Sequence, residues 1–235
     1  MRAAAALALA VVGILLALTY LLLRGVAPDA ALHQRTLEAL HEVVLDEAAL
    51  QRDVLSARAG LLGNYDPLVR ATAGLRAAAA ELRAAAAISD GAAAAEIARR
   101  HGELAAAVAA QEDLAEAFKS DNALLQNSLR YFAHAIERLG GPQRDPEESG
   151  AAEIAALAGA MLRFAGGSDA EGAAGLERSL ERLAALPAAA ARRDDVAALV
   201  LHGRLVAAML PAASAAVARL LAAPTGGRAR ACCSR

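Results

Sequence analysis

The chain has 235 residues, of which 57% are hydrophobic but only 3% aromatic, with no Trp. Alanine, the best helix former, makes up most of the apolar count, and the β-branched and aromatic residues that strands favour are scarce, so the composition predicts an all-α protein. A net charge of -2 leaves no electrostatic footprint for nucleic acid, and adjacent Cys232 and Cys233 cannot staple a fold, so stability must come from packing.

Residues Ala3 to Leu23 are free of charge between Arg2 and Arg24, long enough to cross a hydrocarbon core of ~30 Å. The run exceeds the roughly 7 to 15 residues of a signal-peptide core, and no clean small-x-small cleavage site follows before Pro28. An uncleaved signal anchor over 1–28 is therefore expected in preference to a cleaved leader. The positive-inside bias favours a cytoplasmic N-terminus and an exported remainder, which locates the chain at the inner (cytoplasmic) membrane as a single-pass protein.

The first soluble helix is expected from about Asp29 to Asn64 and the second from Pro67 to about Ile88, with Asp66 as N-cap and Pro67 as first helical residue. Val43, Leu50, Val54 and Leu61 form one apolar line of the first helix and Leu37, Val44, Leu55 and Leu62 a second. Arg58 falls between them and calls for a partner, because an unpaired buried cation is costly. Ser89-Asp90-Gly91 breaks the second helix.

The third helix, about Ala92 to Leu139, has a seam with regular 3,4 spacing: Leu104, Ala107, Gln111, Leu114, Phe118, Asp121, Leu125, Ser128, Phe132, Ala135, Leu139. That is bundle packing interrupted by three polar side chains. Three more helices follow, Ala151 to Ala165, Ala170 to Leu186 and about Ala188 to Ala223, the last with a kink expected at Pro211. Counting rise per residue gives two stacked four-helix-bundle-like modules that share long helices across 29–223. The last helix halts roughly 40 Å above the membrane by the same count, and residues 224–235 lose the apolar period. They are expected to be an irregular or aberrant tail, as in a fragment.

Two runs carry a family resemblance. The first holds Leu50, Asp53-Val54-Leu55, Arg58, Gly60-Leu61-Leu62 and Asn64-Tyr65-Asp66-Pro67-Leu68; the second is Phe118-Lys119-Ser120-Asp121-Asn122-Ala123-Leu124-Leu125-Gln126-Asn127-Ser128-Leu129. Both resemble the dual all-helical (DAHL) extracytoplasmic sensor region of VirA-like two-component sensor histidine kinases. The resemblance implies signal input by a small molecule or a periplasmic binding protein, passed across the cytoplasmic membrane to a kinase half and its response regulator. It also admits a homodimer. The membrane helix, phosphoacceptor and ATP site that would follow in the full-length family are absent after Ala223, so kinase activity is in doubt for this polypeptide. The competing reading is a structural or chemoreceptor-like anchored bundle with no ligand.

Polar positions inside apolar seams supply the candidate ligand-binding or signal-coupling residues: Asp53, Arg58, Asn64, Tyr65, Asp66, Asp121, Asn122, Asn127 and Ser128. On one continuous helix Asp53 and Asn64 would lie within about 20° of each other, and the Asn64–Pro67 corner would sit about 15 Å below Asp121. A structural polar layer that fixes helix register is the alternative to a binding junction. His134 lacks a following acid and a nucleotide loop, and His33, His41, His101 and His202 have no i,i+3 or i,i+4 partner, so no catalytic residue, metal ligand or cofactor is expected.

Overall fold

A computed structural model describes residues 2–88, 94–140, 150–167, 169–187, 190–223 and 225–233, of which the side chains of 2–10, 22–30, 88, 140, 190–191 and 230–233 are outside the description. The described residues form seven α-helices and no strand: α1 (Arg2–Arg58), α2 (Asp66–Ile88), α3 (Ala94–Gly140), α4 (Ala151–Gly167), α5 (Ala170–Ala184), α6 (Ala190–Leu221) and α7 (Thr225–Cys233). Helix α1 runs without a break from the apolar N-terminal stretch to Arg58. Along Val11–Leu21 its large apolar side chains are exposed, Leu16 by 66% and Leu21 by 65%, and no described residue covers them. Among the described residues one longer stretch, Arg192–Ala229, passes the length and composition test for a membrane span. Its α6 part carries Leu199, Val206, Leu210 and Ala213 into a protein core, which marks it as a core helix.

The chain divides into two compact units, and α1, α2 and α3 contribute to both. The first unit joins Met1–Ala49, Arg70–Ala109 and Pro224–Arg235. Its core is small-sided: Ala39, Leu40 and Val43 of α1, Ala71, Leu75, Ala78, Ala79, Leu82 and Ala86 of α2, Leu104 and Val108 of α3, and Ala229 of α7. The α2 residues recur at helical spacing, one face buried and the other in water. Buried His101 directs Nδ1 at the Leu82 carbonyl, 2.7 Å away, which makes Nδ1 the protonated nitrogen. On the outer face of α3, Arg99 and Arg100 hold Glu96, each at 2.7 Å, and Arg99 also pairs with Glu103. The Arg99 and Arg100 hydrogen bonds pull the Glu96 carboxyl down to about 2.

Within the segment expected to be an irregular tail, residues 225–233 are helical. Thr225–Cys233 form α7, with Thr225, Gly226 and Ala229 buried and Arg228 donating Nη1 to the Glu103 carbonyl at 3.3 Å. The side chain of Glu47, itself 8% exposed, lies directly over Gly226, where a Cβ would collide with Oε2. A carboxylate at the first turn of a helix complements its dipole, a force that apolar periodicity does not register.

The second unit comprises Leu50–Val69 and Ala110–Ala223. Leu125, Phe132, Ala135 and Leu139 of α3 meet Ile154, Leu157, Met161 and Phe164 of α4, Leu176, Leu180 and Leu183 of α5, and the apolar face of α6. Asp169 starts α5 as a β-region N-cap whose Oδ1 accepts the Gly172 N–H at 2.7 Å. Helix α6 continues through Pro211, and Ser214 donates back to the Leu210 carbonyl at 2.9 Å.

Candidate functional site

The first helix stops earlier than its sequence suggests. Gly60 adopts φ +73, a left-handed conformation glycine enters without steric cost, and the chain closes a Schellman motif there. Gly60 N–H donates to the Ala57 carbonyl at 3.0 Å and Leu61 N–H to the Ser56 carbonyl at 2.9 Å. Asn64 is therefore off the helix and shares no face with Asp53. It shapes the corner instead, its Oδ1 accepting the Asp66 N–H at 3.1 Å in an Asx turn. The Tyr65 carbonyl accepts from Val69 N–H at 3.1 Å, so Tyr65 is the N-cap and Asp66, expected there, is the first residue of α2.

A Schellman motif leaves the last carbonyls of a helix with room for further donors, and α3 supplies them. Asn122 Nδ2 donates to the Ala57 carbonyl at 3.1 Å and to Tyr65 Oη at 3.0 Å. One turn on, Gln126 Nε2 donates to the Arg58 carbonyl at 3.2 Å. The spacing i, i+4 puts both amides on one face of α3. The two runs that carry the family resemblance thus touch one another, and the corner stands level with Asn122 instead of 15 Å below it. Gly60 also leaves space for the second amide, because a Cβ there would stand 3.2 Å from Gln126 Oε1.

Asn122 is 1% exposed. Because the Ala57 carbonyl can only accept, the amide nitrogen must face it, which directs Oδ1 away to a place where it has no hydrogen-bond partner. A buried orphan acceptor costs about 1–3 kcal/mol. Neighbouring Asp121, expected in the seam, is half-exposed, and Asn127 is exposed.

Arg58 lies in the last turn of α1, where a cation favours the helix dipole. In place of the expected strong partner, its guanidinium reaches only the Ser214 hydroxyl, Nη2 to Oγ 3.3 Å, with no carboxylate among the described residues. Burial lowers its proton affinity below the ordinary arginine value. Asp53 is buried and takes Arg52 Nε at 2.9 Å, and this hydrogen bond holds the Arg52 guanidinium above its usual value. Since Arg52 is mostly in solvent, the pair is screened.

Ser128, fully buried, faces His202 Nδ1 at 3.3 Å, and the His202 ring stacks on Tyr131 with centroids 4.1 Å apart. This pair joins α3 to α6. His134 is exposed beside Glu137 at 3.7 Å. Among the described residues no group of three or more His, Cys, Asp or Glu could hold a metal ion. The candidate residues named from the sequence leave out Gly60, Gln126, His202 and Ser214. The Asn122/Gln126 spacing was the available signal for one of them.

These features define a class: an all-helical bundle domain in which the end of one long helix is tied to the side of another by side-chain amides. The particular family follows from the sequence, which matches the family model of the DAHL domain over residues 28–232. The chain belongs to the DAHL domain family, a family of helical sensory domains. The match extends into α7, as far as residue 232. No solved structure matches the chain.

Proposed function

We propose that the chain is the membrane-anchored, extracytoplasmic input domain of a two-component sensor histidine kinase, binding a small molecule or a periplasmic binding protein and passing a helix shift across the cytoplasmic membrane. The observation that carries this reading is α1: one helix bears exposed apolar side chains over Val11–Leu21 and, at its other end, the Arg58 corner capped by α3. An all-round apolar face suits lipid as its solvent, and a displacement of the helix would load the amide contacts at the corner. Membership of a sensory domain family supports it further. A second reading, a structural anchored bundle, draws support from Asn122 and Gln126, whose nitrogens are occupied by backbone carbonyls.

The test is location and sidedness. Expressed in a bacterial host, the full chain should stay in the membrane pellet after an alkaline carbonate wash, and replacing Leu15 and Leu18 with Arg should release it. Alkaline phosphatase fused after Arg235 should be active, since the enzyme matures only when exported. A chain that washes off, or an inactive fusion, would refute the anchored, exported arrangement.

A further inference from the structure

Within the second unit the buried positions of α3 are Gln111, Ala115, Phe118, Asn122, Leu125, Ser128, Phe132, Ala135 and Leu139. Their steps alternate 4 and 3 except between Asn122 and Ser128, where two steps of 3 follow one another. A doubled step of 3 is a stammer, the place where a helix changes the face it offers to its neighbours. Beyond it the buried set is the heptad seam of the sequence. Before it the inward positions are Ala115 and Asn122, each one residue beyond the heptad positions Leu114 and Asp121, which are half-exposed.

We infer that α3 has a second register in this segment, with Leu114 and Asp121 inward and Ala115 and Asn122 outward, and that the amides of Asn122 and Gln126 are the latch that holds the observed one. At 100° per residue the two faces differ by a rotation of about 50°. The competing terms are opposed. The observed register caps the Ala57 and Arg58 carbonyls but leaves Leu114 partly in water and buries Asn122 Oδ1 without a donor. The rotated register buries Leu114 and hydrates Asn122, but it takes the α3 amides away from both carbonyls and turns the Asp121 carboxylate toward the negative end of the α1 dipole. Neither register satisfies every group, which is what a two-state element requires. The rotation concerns α3 itself and goes beyond the sensory reading, since it needs neither membrane nor ligand.

Thiol reactivity reads the register directly. In the full chain with Cys232→Ser and Cys233→Ser, a Leu114→Cys or an Ala115→Cys change is labelled with a maleimide. With the latch intact, the thiol at 114 should react at least tenfold faster than the thiol at 115. Adding Asn122→Ala and Gln126→Ala should reverse that ratio with helicity by circular dichroism retained. Asp121→Leu, which leaves both latch amides in place and removes the charge opposing rotation, should shift the ratio in the same direction. A ratio unchanged in both backgrounds overturns the inference. So does a joint rise at both positions with loss of helicity, which would make the amides plain caps.

Discussion

The two units fill their interiors differently. All three phenylalanines of the chain, Phe118, Phe132 and Phe164, are buried in the second unit among leucines and Met161. The first unit buries Ala39, Ala71, Ala78, Ala79, Ala86 and Ala229 together with the polar Glu47, Thr72, His101 and Thr225. Alanine brings backbones close but removes little apolar surface, and burial stabilises by about 25 cal/mol per Å2. The first unit should therefore open at lower free energy, with its amides exchanging sooner in native-state hydrogen exchange. Helical order and helical stability are separate properties: the unit richer in alanine, the best helix former, is expected to have the weaker core.

Three substitutions sharpen that contrast. The largest effect is expected from Phe164→Ala, which empties the α4–α5–α6 core and should cost about 3–5 kcal/mol in urea unfolding. A cost below that of an alanine-to-glycine change in α2 would erase the distinction between the cores. Next come two glycines set against different neighbours. At Gly203 a Cβ would stand 2.5 Å from Leu180 Cδ2 and 3.4 Å from Phe132, whereas at Gly226 it meets only the end of Glu47. Gly203→Ala should cost about 1–3 kcal/mol because close-packed apolar side chains have nowhere to move. Gly226→Ala should cost less and show its effect in faster exchange across α7 alone.

The smallest effect concerns pH. Burial, and then the neighbouring Glu42, raise the Asp46 carboxyl above its ordinary value of 3.8. A raised carboxyl contributes stability that is present below that value and lost as pH rises through the folded-state value. Asp46→Asn should therefore slow amide exchange in the first unit at pH 7 and leave it unchanged at pH 3. An equal change at both pH values would assign the effect to packing beside Gly74, which Asp46 touches, instead of to charge.

The helices themselves were legible because alanine-rich runs between Gly, Pro and Asp punctuation leave little choice: α3 was expected at 92–139 and stands at Ala94–Gly140. Their ends and rotations were not. Apolar periodicity carries α1 on through Leu61 and Leu62 to Asn64, but Gly60 offers a left-handed exit that side-chain pattern cannot rank against continuation. Asp121 and Asn122 differ by one position, and only the carbonyls of a helix more than 50 residues away decide which turns inward. The Ser89-Asp90-Gly91 break lies outside the described residues. Helix α7 was missed because it docks through a carboxylate and a glycine, where an apolar stripe was sought.

The caps on α1 come from far along the chain, 65 residues away for Ala57 and Asn122 and 68 for Arg58 and Gln126. A ribosome adding 5–20 residues per second leaves those carbonyls without the α3 amides for roughly 3 to 14 s after they are made. Throughout that interval only the local turn at Gly60 closes the end of the first helix, and it becomes part of a folded corner when the third helix has emerged.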